Sequence, residues 1–228
     1  MGCRFPSAAS FAALLSLLLV RSGKASLSIQ VNATDGSYSV TYDGVTWLES
    51  AETVLTVGGK ELSSKDGSLV LSAHITEGGT TNLTWVPAGK QGPRFATNFV
   101  QRGDSTVVFE QSFPDGVQGT KGASNGAATA FPAFKMDGTV GPKLHAFAGA
   151  GQRTTSFAWG DKVDEISPLA LYHPGTANST GLKTVVLSPL TSLMAAYLGG
   201  HNGVFVSGVR GAYSSYPKGY SLQTVLTA

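Results

Sequence analysis

Apolar residues recur at every second position in short runs along most of this chain, and Gly, Asp, Asn and Pro break the runs apart. In residues 28–32, SIQVN, Ile29 and Val31 alternate with polar neighbours and would share one face of a strand. Asp35-Gly36 and Asp43-Gly44 are turn signals on either side of residues 38–42, so the region from Ser26 onward predicts a meander of short strands. The same pattern predicts strands at 53–57, 68–76, 80–86, 94–101, 107–113, 183–187, 203–209 and 221–227. Only residues 190–198, LTSLMAAYL, compete as a short helix, and their length does not arbitrate.

Such a succession predicts a single all-β domain over residues 26–228: an antiparallel β-sandwich, or a large supersandwich, with glycine-rich turns. The low-complexity stretch 116–130, GVQGTKGASNGAATA, reads as a mobile surface loop rather than a domain boundary, because apolar runs resume at Phe131. In VVFEQSFPDG, residues 107–116, alternation puts Val107, Phe109, Gln111 and Phe113 on one face and Val108, Glu110 and Ser112 on the other. Glu110 is thereby expected to point away from the aromatic residues, and Pro114-Asp115-Gly116 to end the strand in a turn.

The first 25 residues break this pattern. Arg4 precedes a ten-residue apolar core at 11–20, followed by small residues at Gly23 and Ala25. This is the layout of a secretory signal peptide, since a membrane-spanning helix needs about 20 apolar residues. The expectation is a secreted, extracellular protein with no membrane span. The leader also changes the charge balance. The whole chain carries 16 Lys+Arg against 14 Asp+Glu, a net of +2. Arg4, Arg21 and Lys24 lie in the leader, which leaves 13 basic residues against 14 acidic ones, a net of −1. No Lys/Arg cluster remains to form an electrostatic footprint, so nucleic acid is not an expected partner. The single cysteine, Cys3, is in the leader as well, so residues 26–228 form no internal disulfide and offer no thiol for zinc or catalysis.

Motifs of common chemistries are missing: there is no HExxH, phosphate loop, Gly-x-Ser-x-Gly elbow or EF-hand loop. FAGAGQ at 147–152 lacks the third glycine of a dinucleotide loop and reads as a turn. His74, His145, His173 and His201 are scattered, with no two at ligand spacing. No metal site and no cofactor are expected. Carboxylates near aromatic residues are Glu110, Asp115, Asp161, Asp164 and Glu165. Glycoside hydrolysis needs two carboxylates at a separation only the fold can set. Trp159 and Asp161, flanking Gly160, form the most sugar-like pair, an indole face for stacking beside an acceptor, and are the candidate glycan contacts. Asn32-Ala-Thr, Asn82-Leu-Thr and Asn178-Ser-Thr are N-glycosylation sequons near turn-forming residues.

FEQSFPDGVQGT (109–120), AFPAF (130–134), KTVVLSPL (183–190) and GVRGAYSSYPKGYSLQTVLTA (208–228) together resemble the amino-terminal β-sandwich region of large secreted proteins related to α-galactosidases and raffinose synthases. The resemblance covers most of residues 95–228. In those glycosidases the catalytic aspartates sit on a β/α barrel that follows the sandwich, so no catalytic residue transfers to any position here. The resemblance implies an accessory or truncated product, whose partners are a carbohydrate or a downstream catalytic barrel. SLQTVLTA reaches Ala228 within an alternating run, read either as a strand cut short or as a terminal edge strand. Two functions follow: a non-catalytic sandwich portion of a secreted glycoside hydrolase-like protein, or a secreted adhesion or glycan-recognition glycoprotein with no enzyme relationship.

Overall fold

A computed structural model describes residues 26–89, 92–121, 126–136, 145–150, 153–158, 168–173, 183–201 and 203–228. The chain opens with β1 (Leu27–Val31), β2 (Tyr38–Tyr42), β3 (Val45–Glu49), β4 (Val54–Val57) and β5 (Lys60–Ser63). Long strands follow: β6 (Leu69–Glu77), β7 (Thr80–Pro87), β8 (Phe95–Arg102) and β9 (Thr106–Phe113). Next come the short β10 (Val117–Gln118), β11 (Thr129–Ala130) and β12 (Ala133–Lys135), then β13 (His145–Ala150), β14 (Arg153–Ala158) and β15 (Leu169–His173). The last are β16 (Lys183–Pro189), β17 (Ala196–His201), β18 (Val204–Val209), β19 (Ser215–Tyr216) and β20 (Tyr220–Thr227). The protein is all-β and antiparallel; its only described helical element is a 3-10 turn at Leu193–Ala195.

One large sheet of nine strands runs in the order β14-β13-β15-β16-β20-β9-β8-β7-β6. Against it lies a layer of short sheets: β1-β2-β3, β11-β4-β5 and β12-β18-β17, with β10-β19 at one end. Isolated bridges from Ser50 to Phe134 and from Ala127 to Arg210 tie the short sheets to one another. The core fills the space between the two layers. On β9, Val107, Phe109, Gln111 and Phe113 are buried, while Glu110 and Ser112 are half-buried on the other face, as alternation predicts. Tyr38 on β2 reaches across to this sheet, its ring 5.0 Å from Phe99 and 5.8 Å from Phe109, and it also meets Phe131 and Phe134 edge-on. Edge-to-face pairs of this kind add to area burial because the positive ring edge meets a negative face.

A polar seam crosses the core. Gln111 is 1 % exposed; its Nε2 donates to the Phe131 carbonyl at 2.7 Å, and its Oε1 accepts from the Thr129 hydroxyl. Thr129 Oγ1 in turn accepts from the Val209 N–H at 2.9 Å. Nearby, the Ser207 and Thr224 hydroxyls share a 2.7 Å hydrogen bond between the layers. Each buried polar atom here finds a partner, which removes the cost of burying it.

Two expectations, for 116–130 and FAGAGQ, are corrected, and two readings left open, for 190–198 and the run to Ala228, are decided. Around stretch 116–130, Val117, Thr120, Ala127, Ala128, Thr129 and Ala130 are all buried, so those residues are core and β-ladder rather than a surface loop; residues 122–125 lie outside the described ones. Small side chains suit them to a tight approach. A Cβ on Gly208 would stand 1.9 Å from the Thr129 carbonyl oxygen, so β18 and β11 meet backbone to backbone. Residues 190–198 form no α-helix. Ser192 adopts a left-handed conformation (φ 52°), and from Ala196 the chain pairs with β18, burying Ala196 and Leu198 on alternate positions. In FAGAGQ, residues 147–150 belong to β13, with Gly149 paired to Thr154, rather than to a turn. The run that reaches Ala228 forms β20, which lies between β16 and β9 in the interior of the large sheet and is therefore no edge strand.

Candidate functional site

Two adjoining clefts open where the β1–β2 turn, the end of β3 and the end of β12 converge. The first, of about 430 Å³, is lined by Gln30, Val31, Asn32, Ser37, Tyr38, Ser39, Glu49, Ser50 and Lys135. The second, of about 400 Å³, shares Ser37 and Lys135 with it and adds Asp35, Gly36, Ala51, Glu52, Thr53, Ser64, Lys65 and Val204. Lys135 thus stands between the two. Its Nζ lies 3.3 Å from Glu49 Oε2, a half-exposed ion pair that links β12 to β3.

Local hydrogen bonds hold the walls. The Asn32 side chain accepts from the Thr34 N–H, and Asp35 accepts from the Ser37 N–H, both at 2.9 Å; such Asx turns are what Asn and Asp provide in loops. The Ser37 hydrogen bonds hold the Asp35 carboxyl below the usual carboxylate range. Gly36 (φ 72°) sits directly on Trp85: a Cβ there would fall 2.5 Å from the indole ring. The Tyr38 N–H donates to Ser50 Oγ at 2.9 Å, and Glu52 accepts from the Ser63 hydroxyl. Beneath them, Tyr38 Oη donates to the Ala133 carbonyl at 3.0 Å and accepts from its N–H at 2.7 Å, and burial pushes the phenol pKa upward. Tyr38 is therefore a neutral structural pillar, not a reactive group. Because its ring is packed into the core, the cleft offers hydrogen bonds and charge but, among the described residues, no aromatic face for stacking.

The residues singled out from sequence are dispersed. Trp159, Asp161, Asp164, Glu165 and Asn178 lie outside the described residues. Asp115 forms a two-point ion pair with Arg94, at 2.7 and 2.8 Å, which pulls its pKa down to about 2. It closes the turn after β9 and serves a structural purpose. Glu110 faces away from the core, with Asn98 and Gln223 as its cross-strand neighbours. His74 is exposed on β6 and within 3.0 Å of the Thr76 hydroxyl. Among the described residues no three His, Cys, Asp or Glu side chains converge in a way that could hold a metal ion. Of the sequons, Asn32 borders the first cleft, whereas Asn82 lies within β7 in the large sheet.

Glu49, Glu52 and Lys135 were invisible to sequence reasoning because each looks like an ordinary strand end. The one available signal was two Glu three residues apart, closing the apolar run VTWLE. Lys135 joins them only through the Ser50–Phe134 bridge, a contact between segments more than 80 residues apart. No known protein family matches this chain, and no curated protein matches it either.

Proposed function

We propose that this chain is the non-catalytic β-sandwich portion of a secreted glycoside hydrolase-like protein, and that its paired clefts at Lys135 hold a saccharide weakly. The observation that carries the reading is the double cleft itself, whose amide, hydroxyl, carboxylate and ammonium groups come from strand ends and from the hydrogen-bonded turns between them. Hydroxylated ligands are recognised by such sets of donors and acceptors, and aromatic stacking, absent here, is what usually raises affinity. Both cleft glutamates already have partners, Lys135 for Glu49 and Ser63 for Glu52. A general acid needs instead a carboxyl kept protonated in an apolar site. The carboxylates therefore bind rather than cleave.

The test is titration of the purified chain with galactosides and related oligosaccharides, with turnover assayed on the same sugars. Weak saturable binding that Lys135→Ala reduces about tenfold, with no turnover, is the expected result; a charge-assisted hydrogen bond is worth about 1.5–3 kcal/mol. Binding unchanged in Lys135→Ala, or turnover that survives repurification, overturns the reading. The second reading, a stand-alone recognition glycoprotein, is favoured by the outer face of the nine-stranded sheet. Its centre carries a polar row, Asn98, Glu110 and Gln223, beside an apolar row of Val100, Val108 and Val225, so the apolar surface a docked barrel would need is interrupted.

A further inference from the structure

Cross-strand register brings four residues from distant parts of the sequence into one row on the outer face of the large sheet. Asn82 on β7 pairs with Asn98 on β8, Asn98 with Glu110 on β9, and Glu110 with Gln223 on β20. All four are half-buried, and their side chains make no hydrogen bond within the described structure. Asn98 Oδ1 is cut off from solvent and has no partner. That oxygen is closed to a ligand as well as to water, so the groups the row offers are the Asn98 amide nitrogen and the Glu110 and Gln223 side chains. Thr84, two residues from Asn82 and on the same face, supplies the hydroxyl of the sequon Asn82-Leu83-Thr84, while Leu83 between them is buried in the core. The acceptor nitrogen of Asn82 therefore stands at the head of a row of unused amide and carboxylate groups. With strands about 4.8 Å apart, the row extends about 14 Å from Asn82 to Gln223, the scale of a short oligosaccharide.

We propose that Asn82 carries an N-linked glycan whose first sugars lie along Asn98, Glu110 and Gln223 and take up their hydrogen bonds. The proposal rests on the secretory part of the reading above and not on the cleft, which lies in the other layer. Sugar hydroxyls and acetamido groups are both donors and acceptors, which matches a mixed row of carboxamides and one carboxylate. A flat face of this kind gives an attached chain many weak contacts without the entropy cost of capturing a free ligand.

The experiment secretes the full chain from eukaryotic cells behind a heterologous leader and maps glycopeptides by mass spectrometry. Release of the Asn82 glycan by an amidase is then timed on native and on denatured protein. Occupancy at Asn82, with native release slowed at least about tenfold beyond what a Glu110→Ala/Gln223→Ala variant shows, is expected from two lost hydrogen bonds. Hydrogen exchange on the wild type before and after release needs no variant, and β8 and β9 should exchange faster once the glycan is gone. Amidase release leaves Asp at position 82, so Thr84→Ala, which deletes the sequon and keeps the Asn82 side chain, is the control that separates loss of the sugar from the new carboxylate and should show the same faster exchange. An unmodified Asn82, or native release as fast in the wild type as in the double variant, overturns the proposal. Either result leaves saccharide binding at Lys135 to be judged by its own titration.

Discussion

At Gly36 the absence of a side chain is a packing requirement. Its positive φ is costly for an L-residue, and an added Cβ would meet the Trp85 ring at 2.5 Å. Gly36→Ala should therefore lower stability by roughly 2–4 kcal/mol, combining left-handed strain with overpacking. Chemical denaturation measures this, and a loss below about 0.5 kcal/mol would show that the turn relaxes without cost. Asp115 makes a different prediction. Its folded pKa, about 2, lies below the ordinary carboxylate value because Arg94 hydrogen-bonds the charged form. Its contribution is thus present above the unfolded pKa and is lost as pH falls through the folded one. Asp115→Asn should flatten the dependence of Tm on pH between about 4 and 2 and lower Tm at pH 7 by the same small amount that acid removes from the wild type, small because the pair is exposed and screened. An unaltered acid limb would assign acid sensitivity to other carboxylates. Sequence reading placed Asp115 in a turn correctly, but could not see Arg94, which precedes β8 and meets it only when β8 and β9 pair.

Strands were legible wherever one face is buried and the other wet, because that arrangement writes alternation into the sequence. β2, β7, β9 and β20 were visible for this reason. β11 and β12 were not, since they are two and three residues long: both residues of TA are buried, and AFK buries Ala133 and Phe134 and exposes Lys135. What holds them is the seam of Gln111, Thr129 and Val209. Replacing Gln111 with Leu would leave the Phe131 carbonyl and the Thr129 hydroxyl without their partner and should cost about 1–3 kcal/mol at unchanged m-value. Urea denaturation checks it, and an unchanged midpoint would mean that water or a neighbour replaces the amide. Residues 190–198 were left undecided for the opposite reason. Their apolar residues include exposed Leu193 and Met194, at 63 % and 83 %, so composition there does not report burial.

For the whole molecule, the two-layer architecture could be read from strand grammar, but the cleft could not. Asp35, the Glu49–Glu52 stretch and Lys135 come from three segments that only the completed upper layer assembles. Hydrogen exchange should follow the order of the large sheet, slowest in β20 and β9 and fastest in the two outermost strands, β14 and β6, each of which pairs on one side only within the sheet. Equal protection across the sheet would contradict that order. The interior position of β20 also bears on how the protein is made. It is translated after every other described strand, yet it is the piece that joins β16 to β9. Until it leaves the ribosome, both neighbours present unpaired backbone and the sheet stays in two parts. Completion of the sheet must then wait until β20 has emerged, and the waiting chain, with two open edges, is the form that chaperones would need to shield.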